Sequence, residues 1–218
     1  MDEIKQRISL LEGKKLSEAE FCELAELYAA NGMLDKALAF INREISYVYS
    51  IYYDTANNLL GVWYYNGKYL PKDYKKAKKY FEAASFGYMY AQYNLGRYYF
   101  YGRDGAPDYI AASVWLDGPV KENYLPAIIL AAEAYFKMGG SYNIDRAIEN
   151  AERAVAMGSE KAAENLKRYL EKKKLDKKSD EPQLFYDTGV GESALKRDDE
   201  ILDLLTVAMG FGVDGTDG

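Results

Sequence analysis

The sequence predicts an all-α fold: a linear array of helix-turn-helix units, followed by an acidic tail that holds one more helix. Three observations lead there. The segments ANNLLGVWYYNG (56–67) and AQYNLGRYYFYG (91–102) share Ala56/Ala91, Leu60/Leu95, Gly61/Gly96, Tyr64/Tyr99 and Gly67/Gly102, all 35 residues apart. The segments between them repeat at the same offset of 35, with Asp73/Asp108, Ala77/Ala112, Tyr80/Trp115 and Phe81/Leu116. Within each segment the apolar residues fall three and four apart, which places them on one face of a helix. A period of this size is the mark of stacked supersecondary units that bury their apolar faces against their neighbours.

Taken in order, the N-terminal part fits the pattern loosely through Leu24, Ala25, Tyr28, Gly32, Ala37 and Phe40. The first well-formed unit pairs a helix A over 56–67 with a helix B over 72–87, and the second pairs 91–102 with 107–118. The third keeps Ala127, Ala131, Ala132 and Tyr135 at an offset of 36 in its helix A, and Ala147, Ala151, Ala154 and Gly158 in its helix B. Ala162 and Leu166 open a further helix A. Asp73 and Asp108 stand where a carboxylate favours the start of helix B, and Pro71 and Pro107 lie just upstream. A glycine inside a helix costs about 1 kcal/mol against alanine. Its recurrence as Gly61 and Gly96, with Ala132 at the third site, is therefore read as a close helix approach, with Tyr64, Tyr99 and Tyr135 filling the space beside it. One unit departs from the pattern: Gly118-Pro119 replaces Ala83-Ala84, and this step is expected to end the helix near Asp117.

The pattern Ala-x-x-x-Leu-Gly-x-x-Tyr-x-x-Gly, followed by Asp, Ala and Trp/Tyr-Phe/Leu, resembles the Sel-one-like repeat (SLR), a relative of the tetratricopeptide repeat. The resemblance covers roughly residues 16–172. It implies a right-handed α-α superhelical solenoid with helices A lining a concave surface, and an adaptor that holds partner proteins or peptides. The cysteine-rich secreted branch of that family offers no guide, because this chain has a single cysteine, Cys22.

Solenoids bind along the concave face. Placing helix A as in tetratricopeptide units points to Asn58, Val62 and Tyr65 in the first unit, Tyr93, Arg97, Phe100 and Tyr101 in the second, and Glu133 and Phe136 in the third. Asn66, Ile129, Lys137, Glu164 and Arg168 fall on the same face. None of these positions defines the repeat. Tyrosine and arginine are the residues most often found at binding hot spots, so an aromatic floor around Arg97 is the expected partner site.

Composition narrows the chemistry. There is no histidine among the 218 residues, which removes the commonest general base and metal ligand. With Cys22 as the only cysteine, neither a disulfide within the chain nor a paired-cysteine zinc site is possible. The expectation is a non-enzyme without metal or cofactor, although carboxylate chemistry stays formally open. A net charge of -6 argues against general binding to nucleic acid or anionic membranes. Acids at the N-terminus and the lack of a long apolar run argue against export or a membrane span, so the expected location is cytoplasmic.

The repeat domain is read as 1–178, ending in a basic run whose residues 167–178 hold seven Lys/Arg. The tail, 179–218, is acidic but not uniformly polar. A helix is expected at 193–209, where Ile201, Leu202, Leu204, Leu205, Val207 and Met209 need burial. It could cap the array, fill the chain's own groove or await a partner. The favoured function is a protein-interaction module. The alternative is a regulatory or immunity-type protein that blocks one specific partner, with the tail as cap or internal ligand.

Overall fold

A computed structural model describes residues 2–180, with side chains described over 3–177. Residues 181–218, which hold the expected helix at 193–209, lie outside the described residues. The described chain forms ten helices and no strand. They are α1 (Asp2–Leu11), α2 (Glu18–Ala30), α3 (Leu34–Ile45), α4 (Tyr53–Asn66), α5 (Tyr74–Ala84), α6 (Met89–Phe100), α7 (Tyr109–Lys121), α8 (Leu125–Met138), α9 (Ser141–Ala156) and α10 (Glu160–Asp180). Helices A of the array are α2, α4, α6, α8 and α10, and helices B are α3, α5, α7 and α9. The first helix, α1, adds Ile8 and Leu11 to the core under α2 and is tied to it by Arg7, which donates to both Glu23 oxygens at 2.7 and 2.8 Å.

The two well-matched units close in the same way. Gly67 and Gly102 take left-handed φ values of 72° and 57° at the ends of α4 and α6. The following amides, Lys68 and Arg103, reach back five residues to the carbonyls of Trp63 and Tyr98, which satisfies the last carbonyls of each helix. Gly102 is doubly constrained, because a Cβ there would stand 2.6 Å from the Gly105 carbonyl oxygen. The next helix is then hung from the repeat tyrosine: Asp73 N–H donates to the Tyr64 carbonyl at 3.0 Å and Asp108 N–H to that of Tyr99 at 2.9 Å. The carboxylates of Asp73 and Asp108 accept from the Lys76 and Ala111 amides at 2.9 and 2.8 Å, capping α5 and α7.

The recurring helical glycines sit at the A–B crossings. A Cβ on Gly61 would stand 2.4 Å from the Phe81 ring, and one on Gly96 would stand 2.6 Å from Leu116. Phe81 and Leu116 are fully buried, so neither has room to move aside. The repeat tyrosines are half-buried and pack against these cores; Tyr64 stacks on Tyr80 with centroids 5.7 Å apart.

The expected break near Asp117 does not occur. Helix α7 continues to Lys121 with Pro119 inside it and buried. Gly118 explains this, because without a Cβ the residue before proline escapes much of the clash that drives other residues out of the helical region. Its bare backbone also faces α6, where a Cβ would meet Gln92 Oε1 at 2.3 Å. The chain turns out of the helix just after it, at Asn123, left-handed at φ 58°, and the Tyr124 amide returns to the Pro119 carbonyl at 2.9 Å.

Each helix touches only its near neighbours in sequence. The backbones of consecutive A helices from α2 to α8 also run close to one another, while those of consecutive B helices from α3 to α9 stay further apart, α7 and α9 being joined by the Arg153 side chain on the Val120 carbonyl. The B layer is therefore splayed, and the A layer lies on the inside of the curve. That geometry is an α-solenoid whose inner surface is made by helices A.

Candidate partner-binding groove

The inner surface carries a groove of about 540 Å3 between α6, α8 and α10. Tyr93, Phe100 and Tyr101 form one wall, from α6 and the residue that ends it. Leu125, Pro126, Ile129, Leu130, Glu133 and Lys137 come from α8, and Lys161, Asn165 and Arg168 from α10. Tyr93 is fixed edge-on against Tyr124, with centroids 5.1 Å apart, and burial lifts its phenol above the ordinary range. Phe100 is held edge-on between Tyr101 and Tyr109, at 5.0 and 5.5 Å. The aromatic wall is thus preorganised by neighbouring rings rather than left to rotate.

The α8–α10 side is a closed network. Glu133 pairs with Arg168 and accepts a hydrogen bond from the Tyr169 hydroxyl at 2.7 Å. The Tyr169 ring is fully buried and stacks on Phe136 at 4.5 Å, and the Arg168 guanidinium lies over Phe136 at 4.9 Å. Burial, and then the Glu133 carboxylate, push the Tyr169 phenol far above its usual range. Glu133 therefore lines the groove already neutralised, and Phe136 belongs to the joint between α8 and α10.

On the α4–α6 side stands a second cluster. Tyr65 is only 5% exposed and forms its floor. The Arg97 guanidinium lies 5.0 Å from the Tyr65 ring centroid and 5.8 Å from that of Tyr93. Arg97 donates to Asn94 at 3.2 Å, and Asn94 donates to Asn58 at 2.9 Å, so a polar chain crosses from α6 to α4. From the turn after α6, Arg103 donates to the Tyr65 hydroxyl at 2.9 Å and lies over the rings of Tyr65, Tyr74 and Tyr101 at 5.3, 5.1 and 5.0 Å.

Of the residues singled out from sequence, Tyr93, Phe100, Tyr101 and Glu133 come together in the groove, and Arg97 stands beside it on the shared Tyr93. Tyr65 lies beneath Arg97 and Arg103 rather than at the surface. Asn58 is engaged by Asn94, and Val62 packs on the core between α4, α5 and α6. The selection missed Arg103 and Tyr74, which lie outside helix A, and the apolar floor of Leu125 and Leu130. A signal for Arg103 was its place directly after the repeat glycine, where the preceding unit has Lys68.

Cys22 offers no nucleophile. Burial, then the charges of Glu26 and Glu18, raise its thiol to about 11. Alkylation by iodoacetamide at neutral to mildly alkaline pH is expected to run about 50- to 100-fold slower than that of free cysteine, because the thiolate is the reacting species. Mass spectrometry of timed samples checks this, and a rate equal to free cysteine would show an accessible, ordinary thiol. Among the described residues no cluster of His, Cys, Asp or Glu is placed to hold a metal ion, and no helix is long and apolar enough to cross a membrane.

A family model described as the Sel1 repeat matches residues 55–85, 90–116 and 127–159. Each stretch covers one helix A and most or all of the helix B that follows, and the second stops just before Asp117, Gly118 and Pro119. No curated protein matches the chain. Among solved structures, the chain is similar to a protective antigen present in uropathogenic Escherichia coli strains that displays an SLR fold. The identity is 22%, over 74% of this chain and 34% of that one, with a TM-score of 0.56. This chain thus spans about a third of the antigen's length, and the likeness bears on fold alone. A Sel1 repeat protein from Oxalobacter formigenes is 23% identical over 61% of this chain and 98% of its own, with a TM-score of 0.47.

Proposed function

Because the chain carries Sel1 repeats, which generally serve protein interaction, we propose that it is a protein-interaction module that holds an extended segment of a partner protein in the groove between α6, α8 and α10. The observation that supports this best is the groove's aromatic wall. Tyr93, Phe100 and Tyr101 occupy positions the repeat does not need, and they face an inner-surface groove of about 540 Å3. Fixed aromatic rings bury area at little entropic cost, the property that makes them interface anchors. Asn58, Val62 and Tyr65 brace the α4–α6 side, Glu133 and Phe136 brace the α8–α10 side, and Arg97 sets the orientation of the bound segment. In this reading the protein catalyses nothing and works in the cytoplasm, where its lone, half-buried Cys22 stays reduced.

A photo-crosslinking residue placed in the native cell tests the site. Substituted at Phe100, it should yield a covalent adduct with one defined protein, and the same residue at Val114, exposed on the outer helix α7, should not. Adducts in equal amount from both positions, or from neither, would refute the groove. Adducts from Tyr49 instead, in the exposed loop before α4, would move the site to that edge.

A further inference from the structure

We infer that the segment held in this groove is acidic, with side-chain carboxylates that pair with Arg97 and Arg103 while neighbouring aliphatic residues enter the α6–α8 pocket; the inference rests on the groove being the binding site. The argument begins with how the other arginines are satisfied. Arg7, Arg43, Arg146 and Arg168 each pair with a glutamate, and Arg153 donates to the Val120 carbonyl and the Asn123 side chain. Among the described residues only Arg97 and Arg103 face neither a carboxylate nor a main-chain carbonyl. They are also the two that approach the same ring, at 5.0 and 5.3 Å from Tyr65.

Guanidinium is charged at every accessible pH, so both half-buried groups stay cationic beside the groove. A carboxylate that meets either of them gains charge-assisted hydrogen bonds. The fixing is one-sided. Arg97 uses one nitrogen on Asn94, and Arg103 uses its Nε on Tyr65, which leaves the other guanidinium nitrogens for a ligand. Both arginines are held by aromatic faces, so little side-chain freedom remains to be lost on binding. Tyr93 and Tyr101 belong to both sites: each carries an arginine and each lines the α6–α8 groove. A segment lying across them places acidic side chains over Tyr65 and aliphatic ones against Leu125, Ile129 and Leu130. Lys137 and Lys161 continue the positive charge along the groove, and its one acid, Glu133, is already paired.

The test uses the full-length chain and three fluorescein-labelled probes: the C-terminally amidated peptide Leu-Asp-Leu-Glu-Asp-Leu-Asp-Leu, its Asn/Gln counterpart, and an oligothymidylate. Anisotropy at about 50 and 300 mM salt separates charge from apolar contact. The acidic peptide should bind at least about tenfold tighter than the amide peptide, a margin that narrows with salt. Arg103→Gln and Arg97→Gln should each remove most of that margin. Lys75→Gln, on the exposed outer layer, should leave it intact. Arg103→Glu, checked for native helicity, should reverse the preference toward a Lys-for-Asp/Glu peptide, a result that a merely structural role for Arg103 does not produce. Equal binding of the acidic and amide peptides overturns the acidic preference but leaves the groove reading standing. Tighter binding of the oligothymidylate overturns it in favour of nucleic acid. Binding of no probe also overturns it, and crosslinking at Phe100, which requires no choice of peptide, still decides the groove by itself.

Discussion

Gly96→Leu is expected to destabilise the protein by about 3 kcal/mol, which lowers its melting temperature by roughly 6–12 °C for a domain of this size. Even the first atom of the new side chain would stand 2.6 Å from Leu116, which is fully buried. The helix-propensity gain over glycine, about 0.7–1 kcal/mol, offsets part of this and is far too small to reverse it. The crossing of α6 over α7 must open, and α7 also braces α8, so the damage spreads to both sides of the groove. Ala83→Leu on the exposed face of α5 is the matched control and should stay within about 0.5 kcal/mol. Thermal melts by circular dichroism decide it, and a Gly96→Leu protein that melts with the wild type would mean the crossing is looser than the geometry requires.

Tyr169→Ala should cost about 3–5 kcal/mol, as truncation of a large buried aromatic side chain does. The ring is fully buried among Ala132, Ile144, Ala147 and Phe136, so its removal opens a cavity where α10 joins α8 and α9. It also leaves Phe136 without its stacking partner. Tyr169→Phe keeps the ring and loses only the hydroxyl bond to Glu133, which still has Arg168. That variant should cost only about 1 kcal/mol. The pair separates packing from polar contact by urea titration. Because α10 supplies Lys161, Asn165 and Arg168 to the groove, Tyr169→Ala should also weaken partner capture by Phe100 crosslinking, and Tyr169→Phe should not. Equal costs for the two substitutions would show that the hydroxyl, not the ring, fixes α10.

Much of this architecture was legible in the sequence because its causes are local and recur. Gly61 and Gly96 could be read as close approaches before Phe81 and Leu116 were seen beneath them, and Asp73 and Asp108 announced the helices they cap. The Gly118-Pro119 step misled because its glycine was counted as a second helix breaker; before proline a glycine tolerates helix where a larger residue resists it. The first helix passed unread, although Ile4, Ile8 and Leu11 stand at helical spacing, because it belongs to no repeat. The groove was only partly legible. Repeat register locates which face of helix A turns inward, which found Tyr93, Phe100 and Tyr101. It does not say which inward side chains find partners across the gap. Glu133 meets Arg168 and Tyr169 one full unit away, and Arg103 arrives from a turn that helix positions do not index.

One consequence of the stacking concerns evolution and engineering rather than binding. Helix α4 touches α2, α3, α5 and α6 and nothing further along the chain, and α6 likewise reaches only from α4 to α8. No contact within the described array ties one end to the other. The natural step of change in such a molecule is a whole unit of 35 residues, the spacing from Gly61 to Gly96, because gain or loss of one unit recreates the same crossings at the new junction. A gain or loss of a few residues inside a helix rotates every later side chain off its face. The length of this protein is in that sense quantised. The position of the arginine pair relative to the apolar pocket, one unit apart, is a distance that lineages of this chain could change only in whole steps.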